Sequence, residues 1–299
     1  MTDKPVATSL PAQGLILLAI LTLIWGASWP IMKVAVEGMP IFTFRSVSGI
    51  GGGLVLMLIA KLSGYSLAIP RAIWKPLVLA SFFNITCWML FSAIALTLIP
   101  SGHAAVVAYT MPVWAFVFSI PMLGEKARKV QWLGLVLGMT AVAVLAARGW
   151  SVLGEAPWGV LVMAGGAVLW AIGTVLNKRT EWPMPIMVVT CWQILLGTLP
   201  MALMMAFEVD DLVMPTPIVA AAVAFSGLIG MAVGFWTWFR IIEMVPAPVA
   251  ALSVLVVPAA GLVFGALLLG ENFGYTEIIA LGCLMAALAT VLPKPDAKT

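Results

Sequence analysis

Residues that an apolar chain uses sparingly recur here in register. Trp25 and Lys33 return as Trp170 and Lys178, Pro40-Ile41 as Pro185-Ile186 and Gly52 as Gly197, all at a shift of 145 positions. After one added residue the shift becomes 146: Pro100 returns as Pro246, Ala104-Ala105 as Ala250-Ala251, Pro112 as Pro258, Phe118 as Phe264 and Gly124-Glu125 as Gly270-Glu271. Shared Leu and Val would follow from composition alone, whereas Pro, Gly, Glu and Lys in one register point to a duplicated chain. Five expected membrane spans separate each residue from its mate. Because five is odd, the halves, residues 1–150 and 151–299, are expected to insert upside down relative to each other. Many secondary transporters are built this way, with the ligand at the pseudo-two-fold axis.

The membrane assignment rests on charge. The chain is 63% hydrophobic and 9% charged, against about 25% charged in a soluble domain. Stretches without Asp, Glu, Lys or Arg are long enough to cross a bilayer core of about 30 Å. Ten spans are expected: 14–33, 41–60, 76–96, 102–123, 130–147, 157–177, 185–206, 217–240, 248–269 and 276–293. The runs are continuous and do not alternate, so the fold class is an all-α integral membrane protein and not a β-barrel. With the N-terminus inside, 12 of the 15 basic residues fall in cytoplasmic segments, which places both termini in the cytoplasm and the chain in the inner membrane. The net charge of +3 reflects this loop bias and implies no nucleic-acid partner. No small-residue cleavage site follows the first apolar run, so no signal peptide is expected. Cys87, Cys191 and Cys283 lie within spans at unrelated spacings and read as apolar thiols, with no disulfide or metal site. The short connections hold no ATP-binding domain or Gly-rich phosphate loop, against a primary pump. The expected partners are the bilayer and a small-molecule substrate, with no cofactor, and a monomer suffices.

Trp25-Gly26-Ala27-Ser28-Trp29 followed by Lys33, Pro40 and Arg45 resembles the drug/metabolite transporter superfamily, and so does Pro112 through Leu123-Gly124-Glu125-Lys126 with Gln131-Trp132-Leu133-Gly134. The order, spacing and duplication of these motifs resemble the EamA family over nearly the whole chain, and the many aromatic residues resemble its amino-acid exporters. The resemblance implies two five-helix repeats around a central cavity lined by spans one, three, four, six, eight and nine. The second repeat departs from the pattern: Thr190 stands opposite Arg45, and Ala171 opposite Gly26.

Several residues are candidates for the substrate path. Trp25 and Trp170 lie away from the interfacial belt where membrane tryptophans gather, and are read either as paired aromatic walls or as helix packing. Asn84, Cys87, Trp88 and Phe91 share a helical face by spacing. Asn84 needs a polar partner, either a substrate or a neighbouring helix. On the matching span, Gly230 and Gly234 offer space. Tyr109 precedes Pro112, and Pro112 and Pro258 each leave a carbonyl without its helical donor, which makes them hinges, ligand sites or simple kinks; Ser253 adds a hydroxyl beside the second. Trp236, with Trp238, reads as an interfacial anchor or a gate. His103 is either solvated or a pH sensor. Arg45 snorkels to the headgroups or attracts an anion, and Lys33 and Lys178 cap the C-terminal ends of their helices. Small residues at Ser48, Gly49, Gly52, Gly53, Gly134, Gly138 and Gly282 allow close helix packing.

No Asp or Glu lies mid-span, so proton coupling through a buried carboxylate has no obvious carrier. One His and no clustered ligands argue against an intramembrane enzyme. The reading is a carrier exporting small metabolites by alternating access, amino acids including aromatic and neutral ones preferred. The alternatives are an exporter of drugs or another metabolite, and a non-transporting scaffold or receptor.

Overall fold

The computed structural model describes residues 11–99, 104, 107–148, 157–212, 214–257, 260, 263–264 and 275–290. Among these residues the fold is helical without strands. The first rods are α1 (Ala12–Gly38) and α2 (Ile41–Leu62), then α3 (Trp74–Ser81) running through a π-helical segment, Phe82–Cys87, into α4 (Trp88–Leu98). Next come α5 (Met111–Leu123), α6 (Lys129–Arg148), α7 (Pro157–Arg179) and α8 (Ile186–Met204). Then α9 (Pro217–Phe225) passes through a second π-helical segment, Ser226–Gly234, into α10 (Phe235–Met244), followed by α11 (Ala247–Ser253) and α12 (Tyr275–Ala289). Six uninterrupted helical stretches among the described residues are long and apolar enough to cross a membrane: 12–38, 41–62, 71–98, 157–179, 186–211 and 217–244.

Proline sets the boundaries. Met39 is extended before Pro40, and α2 begins immediately after that proline, as the clash between proline and a preceding helical residue requires; Pro185 opens α8 in the same way. The first amides of α2 have no partner within their own helix. The Glu208 carboxylate supplies one, accepting from the amides of Phe42 (3.0 Å) and Thr43 (2.7 Å) and from the Thr43 hydroxyl (3.0 Å). Glycine sets the helix spacing. Gly49 lies against Thr198, Gly53 against Leu195 and Gly52 against the Gly227 carbonyl, which brings α2 onto α8 and onto the second π segment. Gly134 meets Thr290 and Gly138 meets Leu255. Gly282 faces open space, so its expected role in close packing is not seen.

Several buried hydroxyls are satisfied along their own helices. Ser48, Ser92, Ser226 and Thr198 each donate to the carbonyl four residues earlier, an arrangement that needs no water. The structure also corrects two helix readings. α1 continues to Gly38, so Lys33 lies a turn inside the helix and pairs with Glu37 at 3.0 Å, not at a C-terminal cap. Span four is interrupted: Tyr109 and Thr110 form a turn and α5 restarts at Met111. Pro112 thus occupies the first turn of a new helix, where its missing N–H is no loss, instead of bending a continuous one.

Candidate functional site

Between α1, α2, α4, α5, α7 and the second π segment lies a cavity offering about 60 Å³ to the centres of water molecules. Its walls are mostly rings. Trp25, Trp29, Trp88, Tyr109, Trp170 and Phe235 line it, with Met32, Met111 and Met231 between them. The repeat mates Trp25 and Trp170 meet edge to face at 6.4 Å. Trp88 touches Trp170 at 6.3 Å and Trp29 at 6.3 Å, and Trp29 reaches Tyr109 at 6.4 Å while its indole N–H points to the phenol oxygen at 3.4 Å. Behind the wall, Trp238 stacks on Trp170 at 5.3 Å. Such ring pairs add about 0.5–1.5 kcal/mol each beyond the area they bury, which makes a stiff wall.

The two π segments position this wall. They occupy corresponding places in the two sequence repeats, Phe82–Cys87 and Ser226–Gly234, and π turns recur at functional sites. A π turn takes in more residues than an α turn, so it rotates the helix after it relative to the helix before it. Hence Trp88 enters the cavity while Asn84, expected on the same face, is fully buried against α7. There its side-chain oxygen accepts from Thr174 at 3.5 Å and its neighbour is Gly173. Phe91 likewise packs on Gly165 and Gly166 of α7, outside the cavity lining. Hydropathy alone does not reveal the wider turn.

The other expected site residues divide similarly. Trp25, Tyr109, Trp170 and Gly230 line the cavity. Gly234 is buried beside it, and a Cβ there would press on the Trp25 indole nitrogen. Ser253 donates to the Ala250 carbonyl at 2.7 Å and is absent from the lining. Trp236 is partly buried in the core, and Trp238, expected at the interface, is fully buried. His103 and Pro258 lie outside the described residues.

Arg45 is the largest departure. Its expected snorkelling does not occur: the residue is 3% exposed and lines the cavity. Nη2 donates to the Ser92 hydroxyl at 2.8 Å, Nη1 approaches the Met32 sulfur at 3.5 Å, and the guanidinium carbon lies 5.0 Å from the centre of the Phe44 ring. Nε has no partner. Sequence reasoning also missed Ser28, Trp29, Met32, Ser226, Met231 and Phe235 as lining residues. The spacing of Trp25, Trp29 and Met32 by four and three residues on α1 was the available signal.

At the end of the bundle where α7 and α10 finish, polar groups tie elements together. The Lys178 ammonium donates to the carbonyls of Ile242 (2.6 Å) and Val245 (2.8 Å). It therefore caps α10 and not its own helix, as a cation at a helix C-terminus can. Gly124, at φ 67°, ends α5 in a left-handed turn that favours glycine. The next residue, Glu125, accepts from the Ala247 amide at the start of α11 through both oxygens, at 2.9 and 3.2 Å. Burial pushes the Glu125 carboxyl above the usual carboxylate range, against the opposing pull of the Ala247 amide and the Lys178 ammonium. A second, more polar depression of about 350 Å³ opens beside this staple, lined by Asn177, Lys178, Thr180, Arg240 and Glu243 among others.

Comparison with known proteins gives a consistent picture. The family model described as the EamA-like transporter family matches residues 12–147 and again 157–292. The uncharacterised inner membrane transporter YedA of Escherichia coli K12 is 26% identical over 91% of this chain and 88% of its own length. The aromatic amino acid exporter YddG of Ancylobacter novellus is 27% identical over 93% of each chain. A solved crystal structure superposes with a TM-score of 0.77 at 20% identity, covering 93% of this chain and 97% of the other, and so shares its fold.

Proposed function

The chain belongs to the EamA-like transporter family, a multi-pass membrane transporter, and from that premise we propose that it exports amino acids, aromatic and large neutral ones included, by alternating access. The observation that carries this reading is the ring-walled cavity in which the repeat mates Trp25 and Trp170 face each other. Flat apolar side chains pack favourably against indole rings, and the ring faces attract an ammonium group. In this reading ten spans form two inverted repeats, residues 1–150 and 151–299, with both termini on the cytoplasmic side of the inner membrane. The name of YddG supports the substrate class, and that of YedA supports the location.

Alternating access needs one end closed while the other is open. In the proposed orientation the Lys178 staple is cytoplasmic. By the repeat, the mates of Lys178, Ile242 and Val245 are Lys33, Leu96 and Ile99. Lys33 pairs with Glu37 and makes no such bridge, so the arrangement supports an outward-facing state with the cytoplasmic end shut. No Asp or Glu is among the described cavity-lining residues, which favours a carrier running down the substrate's own gradient over proton exchange.

The test is counterflow in proteoliposomes of the purified protein, with labelled tryptophan, phenylalanine and leucine against glucose and a cationic dye. Accumulation of the amino acids alone is the expected result. Accumulation of the dye or the sugar without any amino acid would refute the substrate class.

A further inference from the structure

Among the described residues Arg45 is the only charged one lining the cavity, and its charge has no counter-charge among them there. Arginine does not deprotonate in proteins. A buried charge left unpaired is strongly unfavourable. Its contacts are a hydroxyl, a thioether and a ring face, all neutral, and Nε has no acceptor. Of the five N–H donors of a guanidinium, two are engaged in this way, which leaves three, Nε–H among them, without an acceptor among the described residues. A carboxylate, the group with which Arg forms paired, charge-assisted hydrogen bonds, supplies both the missing acceptors and the missing counter-charge.

We propose that Arg45 docks the carboxylate of the substrate, so that the cavity takes monocarboxylates on an apolar or aromatic frame and rejects the corresponding amines. The assignment rests on the cavity being the transport site and names the class of molecule that fills it. The apolar frame lies among Trp25, Trp29, Trp88 and Trp170, and when the substrate is a zwitterion their ring faces receive its ammonium. An amine without a carboxylate brings a second cation to a site that already holds one. The second repeat has Thr190 opposite Arg45, so the anchor is single and the substrate is held in one orientation.

The experiment is titration calorimetry on the purified protein in detergent, with tryptophan, 3-indolepropionate and tryptamine, which share one ring system and differ in charge. The same comparison is made on the phenyl frame (phenylalanine, 3-phenylpropionate, phenethylamine) and the isobutyl frame (leucine, 4-methylpentanoate, isoamylamine). On at least one frame the carboxylates bind and the amine is weaker by about tenfold or more, the worth of a charged hydrogen bond. Arg45→Met removes that preference and Arg45→Lys retains part of it, with melting temperatures recorded without ligand to verify folding. Arg45→Lys carries the test if Arg45→Met does not fold: it binds carboxylates more weakly than wild type while the amine affinity is unchanged. Equal binding of amine and acid, unchanged acid affinity in both folded variants, or no carboxylate-dependent binding on any frame would overturn the proposal. Carboxylate-selective binding without flux refutes the transport reading alone, whereas amino-acid flux with charge-blind binding refutes only the role of Arg45.

Discussion

A tryptophan in a membrane helix is ambiguous until its surroundings are known, and Trp132 shows why. Its indole resembles that of Trp170 in size, but it is 43% exposed and rests edge-on against Phe116 at 4.9 Å, whereas Trp170 is 1% exposed. Trp238 is the better match for Trp170: both are buried, they stack on each other, and only Trp170 lines the cavity. Trp170→Phe and Trp238→Phe should therefore lose similar stability, about 1–3 kcal/mol for a reshaped core, read as similar falls in melting temperature. Only Trp170→Phe should change the apparent affinity in initial-rate uptake; an equal effect from Trp238→Phe would remove the argument for a specific ring wall. The sequence made Trp25 and Trp170 legible because duplication marks positions regardless of neighbours. It left Arg45 open between the headgroups and an anion, since a helix-net reading gives depth along the axis but not whether the long side chain turns to lipid or inward.

At the level of elements, α5, α7, α10 and α11 are joined by two polar side chains, Glu125 and Lys178, not by apolar packing alone. Lys178→Met should release the carbonyls of Ile242 and Val245, and a cysteine at Thr180, beside the staple, should react faster with a water-soluble maleimide. Unchanged reactivity would show that packing alone holds this end. The pH dependence follows from Glu125. Its pKa is raised where it is buried, so the closed end binds the proton more tightly than an opened, solvated end. The stabilisation is complete below the ordinary carboxylate range and is lost as pH rises through the raised value. Labelling at position 180, divided at each pH by that of an exposed reference cysteine to remove the common loss of thiolate, should accordingly slow on acidification, and Glu125→Gln, which keeps an acceptor for the Ala247 amide, should abolish that remaining dependence. Most boundaries of the described helices were legible because Pro40, Pro185 and Gly124 punctuate them. The π segments were not, because Phe82–Cys87 and Ser226–Gly234 carry no residue that demands a wider turn, and with them went the expected places of Asn84 and Phe91.

For the whole molecule, the proposed ten-span, termini-inside arrangement makes a direct prediction. Cysteines at Leu98 and Phe207, both exposed in the structure, should label from outside intact cells, and cysteines at Ser66 and Ala127 should not; the reverse pattern would invert the orientation. With no acid among the described residues of the cavity lining, substrate flux should persist in sealed liposomes without an imposed pH gradient. Proton flux in fixed ratio to substrate would show a coupling group elsewhere, and His103 would be the first residue to replace. Duplication was legible at this scale, and the family model matches the chain twice, because a repeat survives ignorance of packing. The rings have one more consequence. From Tyr109 through Trp29, Trp88 and Trp170 to Trp238, each centroid lies within 6.4 Å of the next, close enough for their electronic transitions to couple. The protein is therefore its own optical probe: a ligand that wedges between the rings should change the near-ultraviolet circular dichroism without any attached dye.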